Sequence, residues 1–142
     1  MRYLSLKNNK WIYIVIILLA QSAILMAKEP CCKKLLITYV DFDVMSTVDV
    51  SCSEFDTAFK GETTSRTITN SQKIKELITL LSKLKIDKKA KSVDARMKIK
   101  LYYNHSVEVI CLDKFEVLRG EHIYGMDKSL LQFIEKLKIL SK

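Results

Sequence analysis

Glycine and proline are nearly missing from this chain of 142 residues, which has three glycines and a single proline. Collagen-like and proline-rich architectures are therefore excluded, and little backbone is suited to loops that cradle an anion. No segment repeats at a solenoid period, which removes stacked-repeat folds. Histidine occurs twice, as His105 and His122, with no His-x-x-x-His or Cys-x-x-Cys spacing anywhere, so zinc-type ligation lacks its pattern. Gly-x-Ser-x-Gly and paired carboxylates at a telling spacing are also missing. Without a catalytic or cofactor motif, the expectation is a protein that is not an enzyme and carries no cofactor or metal.

What is present describes a folded chain of one domain. Hydrophobic residues make up 49% and charged residues 28%, a balance that argues against wholesale disorder. The first residues carry Arg2, Lys7 and Lys10 as their only charges, followed by an apolar run from Trp11 to Ala20. A basic flank before a short apolar core reads as an export signal, with Ala27 the favoured cleavage point. An uncleaved anchor stays open, because Trp11 to Ala27 reaches the short edge of a spanning length, although Gln21 and Ser22 interrupt it. Either way the domain is expected across the membrane, in the periplasm or outside the cell, or held at the inner membrane by its N-terminus. Residues 28–34, with Pro30, read as a linker, and 35–142 as the domain.

Cutting after Ala27 removes three positive charges and no negative ones, leaving 21 basic against 16 acidic residues, a net +5. Lys83, Lys85, Lys88, Lys89 and Lys91 cluster. A solvated loop following a helix is expected there rather than a polyanion contact. No aromatic residue interleaves them, so nucleic acid is not an expected partner.

Cys31, Cys32, Cys52 and Cys111 all follow the export segment, where bridges are permitted. The neighbours Cys31 and Cys32 are the least natural pair, because adjacent Cα atoms lie closer than a bridge prefers. Cys52 and Cys111 each end a valine-rich extended run and are the predicted bridge, with the vicinal pair outside it or crosslinked to another chain. Two buried thiols at 52 and 111, or a bond from the vicinal pair to Cys52, remain open.

Periodicity gives the elements. Lys34–Phe42 reads as a strand, with a short extended piece at Val48–Val50. A short helix capped by Ser51 or Ser53 follows over Phe55–Phe59 and stops at Gly61, and Thr63–Thr69 reads as an edge strand or loop. Ile74, Leu77, Ile78, Leu81 and Leu84 make the stripe of a helix capped by Asn70 or Ser71. Val93, Ala95, Met97, Ile99, Leu101 and Tyr103 alternate with polar residues and predict one long strand with a buried and a wet face. Val107–Leu112 and Phe115–Leu118 continue an antiparallel meander, Gly120 to Gly125 reads as a loop, and Asp127 caps a last helix striped by Leu130, Ile134, Leu137 and Leu140. The predicted fold class is α+β: a two-layer sandwich with a mainly antiparallel sheet, a C-terminal β-meander and two amphipathic helices on one face.

Asp94-Ala-Arg-Met-Lys-Ile99, the hairpin ending in Ile110-Cys111, the stretch Arg119 to Gly125 and Val50-Ser-Cys-Ser-Glu-Phe55 together resemble small exported proteins of unknown function from Bacteroidetes-type bacteria. The resemblance covers most of residues 35–140. It implies export, an envelope location and an α+β fold, and brings no catalytic residues.

The functional expectation is a non-catalytic binding module. Its candidate partner face is the wet side of the long strand, Arg96, Lys98, Lys100 and Tyr102, facing another envelope protein or an anionic envelope component. The alternative is a small hydrolase or other enzyme with its site in the Gly120–Gly125 loop, where His122 stands beside Glu121 and Tyr124.

Overall fold

The computed structural model describes residues 31–139. The export segment at 1–27, residues 28–30 of the linker and Leu140 lie outside the described residues. Elements follow in the order β1 (Lys34–Tyr39), α1 (Phe55–Ala58), β2 (Thr64–Ile68), α2 (Ser71–Ser82), β3 (Met97–Tyr102), β4 (Val107–Leu112), β5 (Glu116–Arg119), β6 (His122–Gly125) and α3 (Lys128–Ile139). The strands form one sheet, ordered β2-β1-β3-β4-β5-β6, and every neighbouring pair is antiparallel. The fold is α+β.

The two long helices begin where their capping chemistry lies, whereas α1 has Glu54 at its N-cap position without a side-chain cap, not Ser51 or Ser53. The Asn70 carboxamide accepts from the Lys73 N–H at 2.9 Å. The Asp127 carboxylate accepts from the Ser129 and Leu130 N–H groups at 2.6 and 3.3 Å, and these bonds hold its pKa below the ordinary carboxylate value. Both long helices lay their stripes on the same sheet face. Ile74, Leu77 and Leu81 of α2 and Leu130, Phe133, Ile134 and Leu137 of α3 meet sheet rows such as Ile37, Ile99 and Ile110 in the main core. Period two on the strands and a 3.6 period on the helices thus serve one buried layer.

The long strand expected over Val93–Tyr103 is shorter, and its alternation breaks at its start. Met97, Ile99 and Leu101 face the main core, but Ala95 joins a second cluster with Val40, Val50, Phe55, Phe59 and Cys111. Residues 95 and 96 are tied differently from the strand: the Ala95 N–H donates to the Val50 carbonyl and the Arg96 N–H to the Leu112 carbonyl. The second cluster lies on the sheet face away from the long helices. Cys111 stands opposite Lys98 on that face, and the segment carrying α1 closes over both.

Two boundaries also differ from expectation. Cys32 packs in the main core with its thiol 3.3 Å from the Lys34 carbonyl oxygen, and the Lys33 N–H donates to the Tyr102 carbonyl. The packed domain therefore takes in the end of the expected linker. Gly120 to Gly125 is not a loop. Gly120 turns with φ +61°, and His122–Gly125 returns as β6 against β5, the positive φ being what glycine tolerates best.

The two edges of the sheet are both interrupted. On β2, Arg66 points its guanidinium to the helix side, 3.5 Å from the Leu137 carbonyl and over the Tyr39 ring. On β6, Ile86 forms a β-bridge with Tyr124, flanked by bonds from the Asp87 N–H to the Ile123 carbonyl and the Gly125 N–H to the Lys85 carbonyl.

Candidate functional site

Of the expected partner face, half is interior. Arg96 and Lys98 are 5% and 7% exposed, while Lys100 and Tyr102 are half-buried. The physical reason is the α1 segment. The Lys98 ammonium bonds the Asp56 carboxylate at 2.8 Å and lies 5.6 Å over the Phe55 ring. A buried cation needs such a partner, and Asp56 supplies it from a segment 42 residues upstream. Lys34 lies 4.6 Å over the Tyr102 ring, which leaves that end of the face a mixture of cation and aromatic carbon.

Cys52 and Cys111 are joined by a disulfide, with Cα atoms 5.6 Å apart across a separation of 59 residues. The bond ties the α1 segment to the outer side of β4. Closing a loop of that length contributes roughly 2–4 kcal/mol. It matters here because the second cluster holds only six fully buried residues. His122, the residue of interest in the enzyme reading, is an exposed strand residue standing edge-to-face with Tyr124 at 6.5 Å. Behind it Arg119 bonds Glu108 at 2.5 Å, and Tyr103 donates to the same carboxylate at 3.2 Å. Burial, with the Glu108 charge beside it, pushes the Tyr103 phenol up to about 12.

The most organised surface feature lies at the other end of the strands and was not foreseen. Arg96 makes five hydrogen bonds: Nε to the Val44 carbonyl, the two terminal nitrogens to both Asp94 oxygens, and others to the Ala95 carbonyl and the Ser46 hydroxyl. Its guanidinium also stacks 5.3 Å over the Phe59 ring. Ser46 passes the restraint on by donating to the Val48 carbonyl at 2.6 Å, and Asp94 accepts from the Val50 N–H at 2.8 Å. A planar, bidentate cation buried under a loop thus fixes the backbone from Val44 to Val50.

That fixed loop displays Met45, which is 94% exposed. Beside it Phe115, at 73% exposure, is displayed from the turn between β4 and β5. The turn is equally restrained, since the Asp113 carboxylate accepts from the Phe115 and Glu116 N–H groups and the Met126 N–H donates to the Phe115 carbonyl. Met45 and Phe115 border a cleft of about 540 Å³ that shares Phe42, Asp43 and Lys114 with a second cleft of about 430 Å³ running to Leu131 and Lys138 of α3. Lys138 lies 4.0 Å over the Phe42 ring and bonds Glu135 at 3.1 Å. The result is an apolar tip on a rigid base beside an open groove. Nothing in the alternation of hydrophobic residues marks it, because a lone methionine or phenylalanine in a loop looks the same in sequence whether buried or displayed.

Among the described residues no helix is long and apolar enough to cross a membrane, and the disulfide is compatible with an oxidising, exported location. No protein-family model, curated protein or solved structure matches this chain.

Proposed function

We propose that this chain is an exported, non-catalytic binding module that holds a partner protein of the same compartment at the Met45–Phe115 tip and the groove beside it. The observation that carries the reading is Arg96, a buried cation that bonds Val44 and Ser46 of a surface loop directly and Val50 through Asp94, and so holds the loop that presents an almost fully exposed methionine. Large exposed apolar side chains on a preorganised base favour association, because little ordering entropy is lost when the partner closes over them. Methionine and aromatic residues are enriched at the centres of interfaces. The basic flank before Trp11, the disulfide and the resemblance to exported proteins support the compartment.

The test places a photo-crosslinking phenylalanine analogue at position 115, and separately at exposed Thr79 on α2, in cells making the full chain. A discrete crosslinked species at 115, not seen at 79 and lost when Met45→Asp is added, is the expected result. Equal labelling at the two positions, or labelling at 115 indifferent to Met45→Asp, removes the proposal. Export is read independently from the N-terminus of the protein recovered from cells, expected between residues 21 and 28. A chain that still begins at Met1 and sediments with membranes establishes the anchor instead.

A further inference from the structure

The lysine-rich connection from α2 to β3 is solvent-exposed, as expected for a loop after a helix, and it is also held in place. Lys83, Lys85, Lys88, Lys89 and Lys91 are all exposed. The stretch between them is fastened to the sheet edge. Ile86 bridges Tyr124, the Asp87 N–H donates to the Ile123 carbonyl at 2.9 Å, and the Gly125 N–H donates to the Lys85 carbonyl at 3.1 Å. The acid between Lys83 and Lys91 is Asp87, half-buried, and its carboxylate accepts from the Lys89 and Ala90 N–H groups of the same loop at 2.8 and 3.4 Å. Five cations in nine residues therefore share one rigid strip. In its midst Ile86 stays 54% exposed, although isoleucine is among the residues most often buried.

We infer that this strip is a docking surface for a membrane rich in anionic phospholipid, with the lysines lying over phosphate-bearing headgroups and Ile86 inserted at the acyl boundary. The charge alone would suit any polyanion. Ile86 decides for the bilayer, since an apolar side chain gains nothing against a polyanion in water but gains from entering the interfacial region. No aromatic side chain is interleaved between Lys83 and Lys91, and interleaved aromatics are the pattern that nucleic-acid stacking platforms use. Clustered lysines are attracted by the negative surface potential, and the attraction falls off within a Debye length. This inference does not depend on the Met45–Phe115 tip.

The experiment compares full-length protein and its variants on vesicles of phosphatidylcholine with and without phosphatidylglycerol, at low and high salt. The apolar segment from Trp11 is common to every variant, so the reading is the difference between variants. Wild type is expected to partition at least about tenfold more onto the anionic vesicles at low salt, and the double variant Lys88→Glu, Lys89→Glu to lose that preference. Ile86→Ser is expected to weaken anionic-vesicle binding several-fold while leaving retention by inorganic polyphosphate unchanged. All three side chains are exposed, and an unaltered thermal melt verifies the fold. Equal partition of wild type and the double variant overturns the inference. So does an Ile86→Ser protein that binds vesicles as wild type does, which would leave a phosphate-binding strip and no membrane surface.

Discussion

The two faces of the sheet are sealed by different physics. The helix side is closed by area: α2 and α3 lay continuous apolar stripes over Leu35, Ile37, Met97, Ile99 and Leu101, all at or near zero exposure. The far side has no long helix among the described residues. It is closed by α1 and irregular chain over a six-residue cluster, with the Cys52–Cys111 bond, the Arg96–Asp94 pair and the Lys98–Asp56 pair in support. A face that buries little apolar surface needs specific ties, and each tie fixes a particular residue where area fixes only an average. The displayed tip grows from the tied face, where the backbone can be irregular and still be held.

The largest effect should come from the area-sealed side. Leu101→Asp buries a carboxylate among apolar side chains and should cost several kcal/mol, enough to unfold a domain of ordinary stability. Lys100→Asp on the half-buried opposite side should cost far less, as read by urea denaturation followed by circular dichroism. Equal losses would erase the distinction between the faces. On the tied side, replacing both Cys52 and Cys111 by alanine should lower stability by roughly 2–4 kcal/mol. Hydrogen exchange should then accelerate across residues 40–62 while the strands stay protected. Uniform acceleration would mean that the two layers unfold as one unit.

A smaller contrast lies within one ion pair. Asp56→Ala strands the buried Lys98 cation and should cost about 1–3 kcal/mol. Lys98→Met leaves the Asp56 carboxylate, whose side chain is 58% exposed, in water and should cost clearly less. The reverse order, measured by chemical denaturation, would show that the cation is the better solvated partner. At alkaline pH the helix side has its own signature. The unfolded Tyr103 phenol ionises near its ordinary value of 10.0 and the folded one at about 12. Unfolding therefore releases a proton between those values, and stability falls as pH rises from 10 to 12. Tyr103→Phe should flatten that decline. The smallest effect is expected at Glu116, whose pKa is raised first by burial and then by Asp113, Asp87 and Asp49. The folded state keeps this proton longer than the unfolded chain, so stability is lost as pH rises above the ordinary carboxyl range. Glu116→Gln should raise the melting temperature slightly at neutral pH and have no effect in acid.

What the sequence disclosed follows the same division. Regular elements with one buried stripe announced themselves: the 3.6 period from Ile74 to Leu81, the alternation from Met97 to Leu101, and the caps at Asn70 and Asp127. The Cys52–Cys111 bond was legible from two valine-rich runs read as extended, although Cys52 lies in a turn after irregular chain and Cys111 stands within β4. The tied face was illegible where it depends on distant partners. Arg96 and Lys98 sit at positions that alternation assigns to solvent, and only Val44, Ser46 and Asp56, 42 to 52 residues upstream, make them interior. The tip was illegible for the converse reason, since exposure of Met45 and Phe115 is set by loops whose path has no period.

The interrupted edges of the sheet bear on how any partner is chosen. A protein that captures another by adding a strand reads mostly main chain and accepts many sequences. Here β2 is a five-residue edge strand with Arg66 turned onto the helix side, and β6 is already bridged by Ile86. Short edges, inward charges and covering segments all discourage added strands. In the proposed binding role, recognition would then pass through side chains, so selectivity would reside in the shape of a few residues, and a change of partner would be written as substitutions at the loops, with the sheet left as it is.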